Sequence, residues 1–127
     1  MRRTMIIALA VLAAALLICT ASMLFLNGTV DEAERLDSLA VLAANGGRSD
    51  RAAELMVQLA EFWRQRAPVM EMLASHDALH EVDSAIAEAQ ICLECRDHDD
   101  FLRTMSVVTA ALQHIRDEEA VSWSNLY

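Results

Sequence analysis

The chain has 127 residues, a formal net charge of −9 and a hydrophobic fraction of 55%. That length leaves room for one domain and one appendage, and the hydrophobic fraction lies above that of an ordinary soluble domain. Three cysteines rule out a disulfide-dense scaffold, and the absence of any alternating apolar pattern rules out a β fold.

The excess apolar residues are gathered at the start. No residue between Arg3 and Asp31 is charged, and residues 5–26 are almost purely aliphatic, with Met5, Leu16 and Leu26 marking the start, middle and end of the run. At about 1.5 Å per residue this stretch makes roughly 33 Å of helix, enough to cross a hydrocarbon core of about 30 Å. Arg2 and Arg3 precede it, while Asp31, Glu32 and Glu34 follow. Basic flanks stay on the cytoplasmic side, so the amino terminus is expected inside and the rest outside. A cleaved signal peptide is the competing reading, since Cys19-Thr20-Ala21 is an acceptable small-x-small site. The run continues past that site through Met23, Leu24, Phe25 and Leu26, beyond the roughly 7–15 residues of a signal core. Leu16-Leu17-Ile18-Cys19 approaches a lipoprotein processing site, but Ile18 is bulky where a small residue is required. The expected organisation is an uncleaved transmembrane signal-anchor over residues 1–28 and an acidic extracytoplasmic helical domain over residues 29–127.

Beyond the anchor, eight arginines face 19 acids and there is no lysine. Such a domain repels nucleic acid and anionic headgroups, so neither is an expected ligand. In the anchor, Ala10, Ala13, Ala14 and Ala15 permit close approach of a second membrane helix, whether a partner's or that of another copy of this chain.

The remainder reads as helix throughout. Thr29 and Glu32 have the spacing of a capping box opening a first helix. Leu36, Leu39 and Ala43 give it an apolar side, and Asn45-Gly46-Gly47 ends it. Ser49 or Asp50 is expected to cap a second helix, in which Ala52, Leu55, Leu59, Phe62 and Arg66 follow at helical spacing, with Met56 and Trp63 widening the stripe. Pro68 predicts a break or kink at Ala67, with a further helical turn over residues 69–74. A third helix is expected over residues 77–95, carrying Leu79, Val82, Ile86, Ala89 and Leu93. Residues 96–100 read as a polar turn, after which Phe101, Met105, Val108, Leu112 and Ile115 define a fourth helix. The closing residues 122–127 are apolar enough to predict folding back onto the bundle.

A weak internal echo recurs at about fifty residues. Leu36, Ala43, Ala52, Leu55 and Phe62 superpose on Ile86, Leu93, Leu102, Met105 and Leu112. Two packed helical hairpins would produce it, and the predicted fold is an all-α, antiparallel three- or four-helix bundle.

The order and spacing of these features resemble a family of small bacterial proteins known as domain of unknown function 4363. The resemblance runs over essentially the whole chain. It includes the Met-Arg-Arg start with its aliphatic anchor, the acidic first helix and the Trp63 region. It continues through His76-Asp77 opening a helix, Glu81-Val82-Asp83, His114-Ile115 and Ser122-Trp123-Ser124-Asn125-Leu126. The resemblance implies an exported, membrane-anchored helical domain of Gram-positive, often spore-forming bacteria, and an accessory role beside another membrane protein. It brings no assigned activity. Cys92 and Cys95 are not part of the pattern, so a function built on them would belong to this chain alone.

Four groups of residues invite a chemical reading. Cys92-Leu93-Glu94-Cys95 followed by His98 offers thiolate and imidazole ligands for zinc or copper(I), or a redox dithiol. A helix C-terminus disfavours thiolate, however, and the second Cys pair of a closed zinc site is missing. His76-Asp77-Ala78-Leu79-His80 approaches the H-E-x-x-H pattern, but Asp77 is short for a general base. His76 is also expected before the helix cap, with its ring off the face of His80. Asp97, Asp99 and Asp100 lack the loop of a calcium site and read as a solvated cap. Phe62 and Trp63, with Met56, Met70, Met72 and Met105, either fill the core or line a groove for a partner helix; Trp123 joins Phe62 and Trp63 as an expected partner contact. No nucleophile motif and no phosphate loop is present. The favoured reading is a non-enzymatic, membrane-anchored interaction module with no cofactor and a membrane-protein partner. A metal- or redox-responsive domain using Cys92, Cys95 and His98 is the alternative.

Overall fold

A computed structural model describes the backbone of residues 1–124 and the side chains of residues 1–120. Among these residues four helices follow one another: α1 (Arg2–Asn45), α2 (Ser49–Leu73), α3 (His76–Glu94) and α4 (His98–Ser124). Among the described residues there is no strand. The expected fold-back of residues 122–127 and the side chain of Trp123 lie outside what is described.

The helices close a ring in which α1 packs on α2, α2 on α3, α3 on α4 and α4 on α1, and among the described residues there is no close contact across the diagonals. Short connections make neighbours antiparallel. Polar contacts confirm the direction: Arg116 meets Asp31 while Thr109 meets Asp37, so α4 descends as α1 rises. Leu26, Val30, Met56, Leu59, Trp63, Val82, Phe101, Met105 and Leu112 are among the side chains that fill the centre.

α1 differs from expectation. No helix starts at Thr29: one uninterrupted helix of 44 residues runs from the apolar segment into the bundle core, about 66 Å at 1.5 Å per residue. The Thr29 hydroxyl is buried and donates to the Phe25 carbonyl one turn back at 2.8 Å. Glu32 binds Arg35, so neither half of the capping box forms. Residues 2–21 are exposed, and burial on α1 begins at Leu26. The apolar stem is thus long and apolar enough to cross a membrane, and its apolar window is not used in the bundle core.

Pro68 does not end α2, which continues to Leu73. Proline removes one backbone donor, but Met70 beyond it is fully buried and holds the last turn on the core. Neither Ser49 nor Asp50 caps α2; the position is Arg48, with no side-chain cap. The turn from α1 explains this. Arg48 N–H donates to Ala43 O and Gly47 N–H to Ala44 O, a Schellman arrangement that leads straight into the next helix. Gly47 takes the left-handed conformation at φ +74°.

The turn from α3 to α4 repeats this pattern. Asp97 N–H donates to Cys92 O and Arg96 N–H to Leu93 O, with Arg96 left-handed at φ +57°. Setting Gly47 on Arg96 gives an offset of 49 residues, and under it buried positions coincide: Val30 with Leu79, Ala33 with Val82, Ala40 with Ala89, Ala52 with Phe101, Met56 with Met105 and Trp63 with Leu112. The echo is therefore real, but its register is one residue shorter than the pairs read from sequence. Apolar stripes contain both three- and four-residue steps, so a slip by one still pairs apolar with apolar.

Candidate functional site

The polar chemistry gathers at the two ends of the bundle. The end far from the stem is built by the two Schellman turns. There Cys92 is half-buried on the last turn of α3, its sulfur 3.8 Å from the Thr104 hydroxyl. Thr104 gives its single proton to the Asp100 carbonyl at 2.8 Å, which leaves the Cys92 thiol as the donor of that pair. Cys95 caps the helix and is exposed, and both thiols are free. His98 opens α4 instead of lying in a turn. Asp97 is the cap, accepting from Asp100 N–H at 3.1 Å, and Asp99 and Asp100 sit in the first turn of α4, where carboxylates complement the helix dipole. Cys92 and His98 line one cleft of about 490 Å³ with Met56 and Val57 of α2. Among the described residues, no three His, Cys, Asp or Glu side chains are gathered to hold a metal.

The end next to the stem holds three histidines. Ser75 caps α3, its hydroxyl oxygen accepting from Ala78 N–H at 3.2 Å. That cap moves His76 inside the first turn, one residue earlier than expected. Its ring consequently stacks on His80, with centroids 6.4 Å apart and planes 16° from parallel. The two imidazoles do share a helical face, contrary to the sequence reading. His114 of α4 lies 3.4 Å from Glu81 of α3 and 3.3 Å from Glu118, and Ser75 donates to Glu118 at 3.1 Å.

Two carboxylates are pushed above the ordinary range. Asp83 is raised by burial, opposed by His80 and by a hydrogen bond from the Trp63 indole, and raised further by Glu71. Asp37 is only 4% exposed. Burial raises it, the Thr109 hydroxyl counters, and Glu34 adds to the rise. One Asp37 oxygen, Oδ1, has no hydrogen-bond partner among the described residues.

Trp63 is 2% exposed and Met56, Met70 and Met105 are buried, so these side chains belong chiefly to the core. Trp63 is a core residue, not a surface anchor, because α3 and its Asp83 cover the indole. Met72 is exposed and Phe62 half-buried beneath Arg66. Sequence reading passed over Asp37, a lone carboxylate between Leu36 and Ala40 of the buried stripe. Arg66 reads in the sequence only as the next position of the α2 stripe, with no role for its charge.

The architecture defines the class: a helical bundle whose first helix is prolonged as an exposed apolar stem. The chain belongs to the family described as Domain of unknown function (DUF4363), whose model matches residues 25–126, beginning within one residue of the first buried position of the bundle. No curated protein and no solved structure matches the chain.

Proposed function

We propose that this protein is a non-enzymatic interaction module, anchored in the membrane by its stem and docked on another membrane protein through its acidic bundle. The single observation that carries this reading is the unbroken α1, whose apolar residues are exposed up to the point where the bundle begins. Leaving some twenty apolar residues in water is strongly unfavourable, and a bilayer removes that cost. Arg2 and Arg3 at the tip of the stem support, by the preference of basic flanks for the cytoplasmic side, a reading with the tip inside and the bundle on the outer face. With no flexible linker between stem and bundle, the bundle is held at the membrane surface, within reach of a neighbouring membrane protein. Exposed Leu42, Val57 and Ile91 offer that neighbour apolar contacts on an otherwise charged surface.

Crosslinking and affinity capture of the intact protein from its own membranes, beside a version carrying an unrelated anchor, tests the reading. A stoichiometric membrane-protein partner retained by both versions is expected and places the contact on the bundle. A partner lost with the anchor swap, or none at all, contradicts it.

A further inference from the structure

We propose that the cleft between the stem-proximal parts of α1 and α2 holds the phosphodiester headgroup of a phospholipid, with Arg66 as its ligand. This inference rests on the membrane anchoring proposed above. The cleft is lined by Leu24, Phe25, Gly28, Glu32, Phe62 and Arg66. The Arg66 guanidinium lies 5.3 Å from the centre of the Phe25 ring and 5.0 Å from that of Phe62. Two half-buried aromatic rings thus fix the planar fork in one place. Among the described residues no carboxylate pairs with it. The acid in the same cleft, Glu32, is taken by Arg35 through hydrogen bonds of 3.0 and 2.6 Å. In a domain where acids greatly outnumber arginines, a half-buried guanidinium left without an anion is a charge awaiting one.

Position supplies the anion's identity. Leu24 is the last aliphatic turn of the stem and Glu32 the first turn beyond it, about 12 Å of helix apart. Each headgroup layer of a bilayer is about 5–8 Å deep, so with the stem in the membrane this cleft lies at headgroup level. Space stands open beside Gly28, where a Cβ would meet nothing within 4 Å. The guanidinium fork matches two phosphate oxygens, while Leu24 and the two phenyl rings face the upper acyl chain. Because the ligand is the phosphodiester common to all phospholipids, an acidic domain that repels anionic headgroups can still take a zwitterionic one.

The test uses the full chain reconstituted in phosphatidylcholine vesicles. Flotation reports anchoring, and native mass spectrometry after release into mild detergent reports retained phospholipid. The wild-type chain is expected to float and to retain one lipid, and millimolar inorganic phosphate is expected not to displace it. Arg66→Gln is expected to float equally and to lower the retained share by about tenfold, the size of one charge-assisted contact. Gly28→Leu, which fills the cleft with Arg66 intact, is expected to do the same, and it decides the matter should Arg66→Gln fail to fold by circular dichroism. Arg64→Gln, which alters an exposed arginine paired with Glu61, is expected to retain lipid. Floating protein with equal retention in wild type and both cleft variants overturns the headgroup site and leaves the anchor standing. Displacement by inorganic phosphate overturns the lipid as the ligand. Failure to float removes the anchor and the site with it.

Discussion

Asp37 sits opposite Thr109 with competing demands on one proton. The Thr109 hydroxyl is shared between the Asp37 carboxylate and the Met105 carbonyl, while Asp37 Oδ1 has no partner among the described residues. A protonated or amide side chain would resolve this by donating to Thr109 and freeing its proton for Met105. Burial raises the folded-state pKa of Asp37 above its unfolded value, so the folded state binds the extra proton. The group therefore costs no stability below its ordinary carboxylate pKa, and stability falls as pH rises from there through the raised value. Asp37→Asn is expected to stabilise the chain by about 1 kcal/mol at neutral pH. Urea melts should show that gain shrinking to nothing as pH falls below the ordinary carboxylate range. The two left-handed turn residues make a second prediction. Gly47→Ala is expected to cost about 1 kcal/mol, because a Cβ at φ +74° is strained. Arg96→Gly relieves the same strain at φ +57° and should raise the melting temperature.

At the scale of the helix, α1 shows which sequence signals were readable. The apolar stem, the stripe of Leu36 and Ala43, and the stop at Asn45 were all legible, because periodicity and glycine placement report directly on helices. The false start at Thr29 was not. A Thr-x-x-Glu spacing is a cap only if the preceding residues leave the helix, and here residues 25–28 stay helical because the stem continues through them. The repeat makes the reason concrete. The position equivalent to the α3 cap Ser75 is Leu26, which cannot accept a hydrogen bond and is instead buried. In α3 the boundary moves the other way, since Ser75 caps the helix and draws His76 into its first turn. Gly28 gives a direct check of continuity. Inside an unbroken helix, with open space where a Cβ would go, Gly28→Ala is expected to stabilise by about 0.5–1 kcal/mol in thermal melts of the full chain. A loss of stability would point to a break at that position.

For the molecule as a whole, two hairpins with equivalent ends build one bundle, and the first of them is prolonged into the stem. The ring of four helices was legible from apolar spacing and short turns, whereas the candidate sites were not, because they depend on which faces meet. Trp63 reads the same from sequence whether buried under α3 or presented to a partner. Arg66 reads as one more charged residue until Phe25 and Phe62 are seen beneath it. The stem binds these features into the proposed account, in which the continuous α1, long and apolar enough to span a membrane, would hold the bundle at its outer face.

The native cysteines test that account most directly. Cys19 lies exposed midway along the stem and Cys95 is exposed at the far end of the bundle, so a membrane-impermeant maleimide applied to intact cells separates them. The account predicts that Cys95 is modified and Cys19 is not, with Cys19 remaining protected after the cells are opened and becoming reactive only when detergent dissolves the bilayer. Modification of Cys19 in undissolved membranes, or of Cys95 only after the cells are opened, would contradict it.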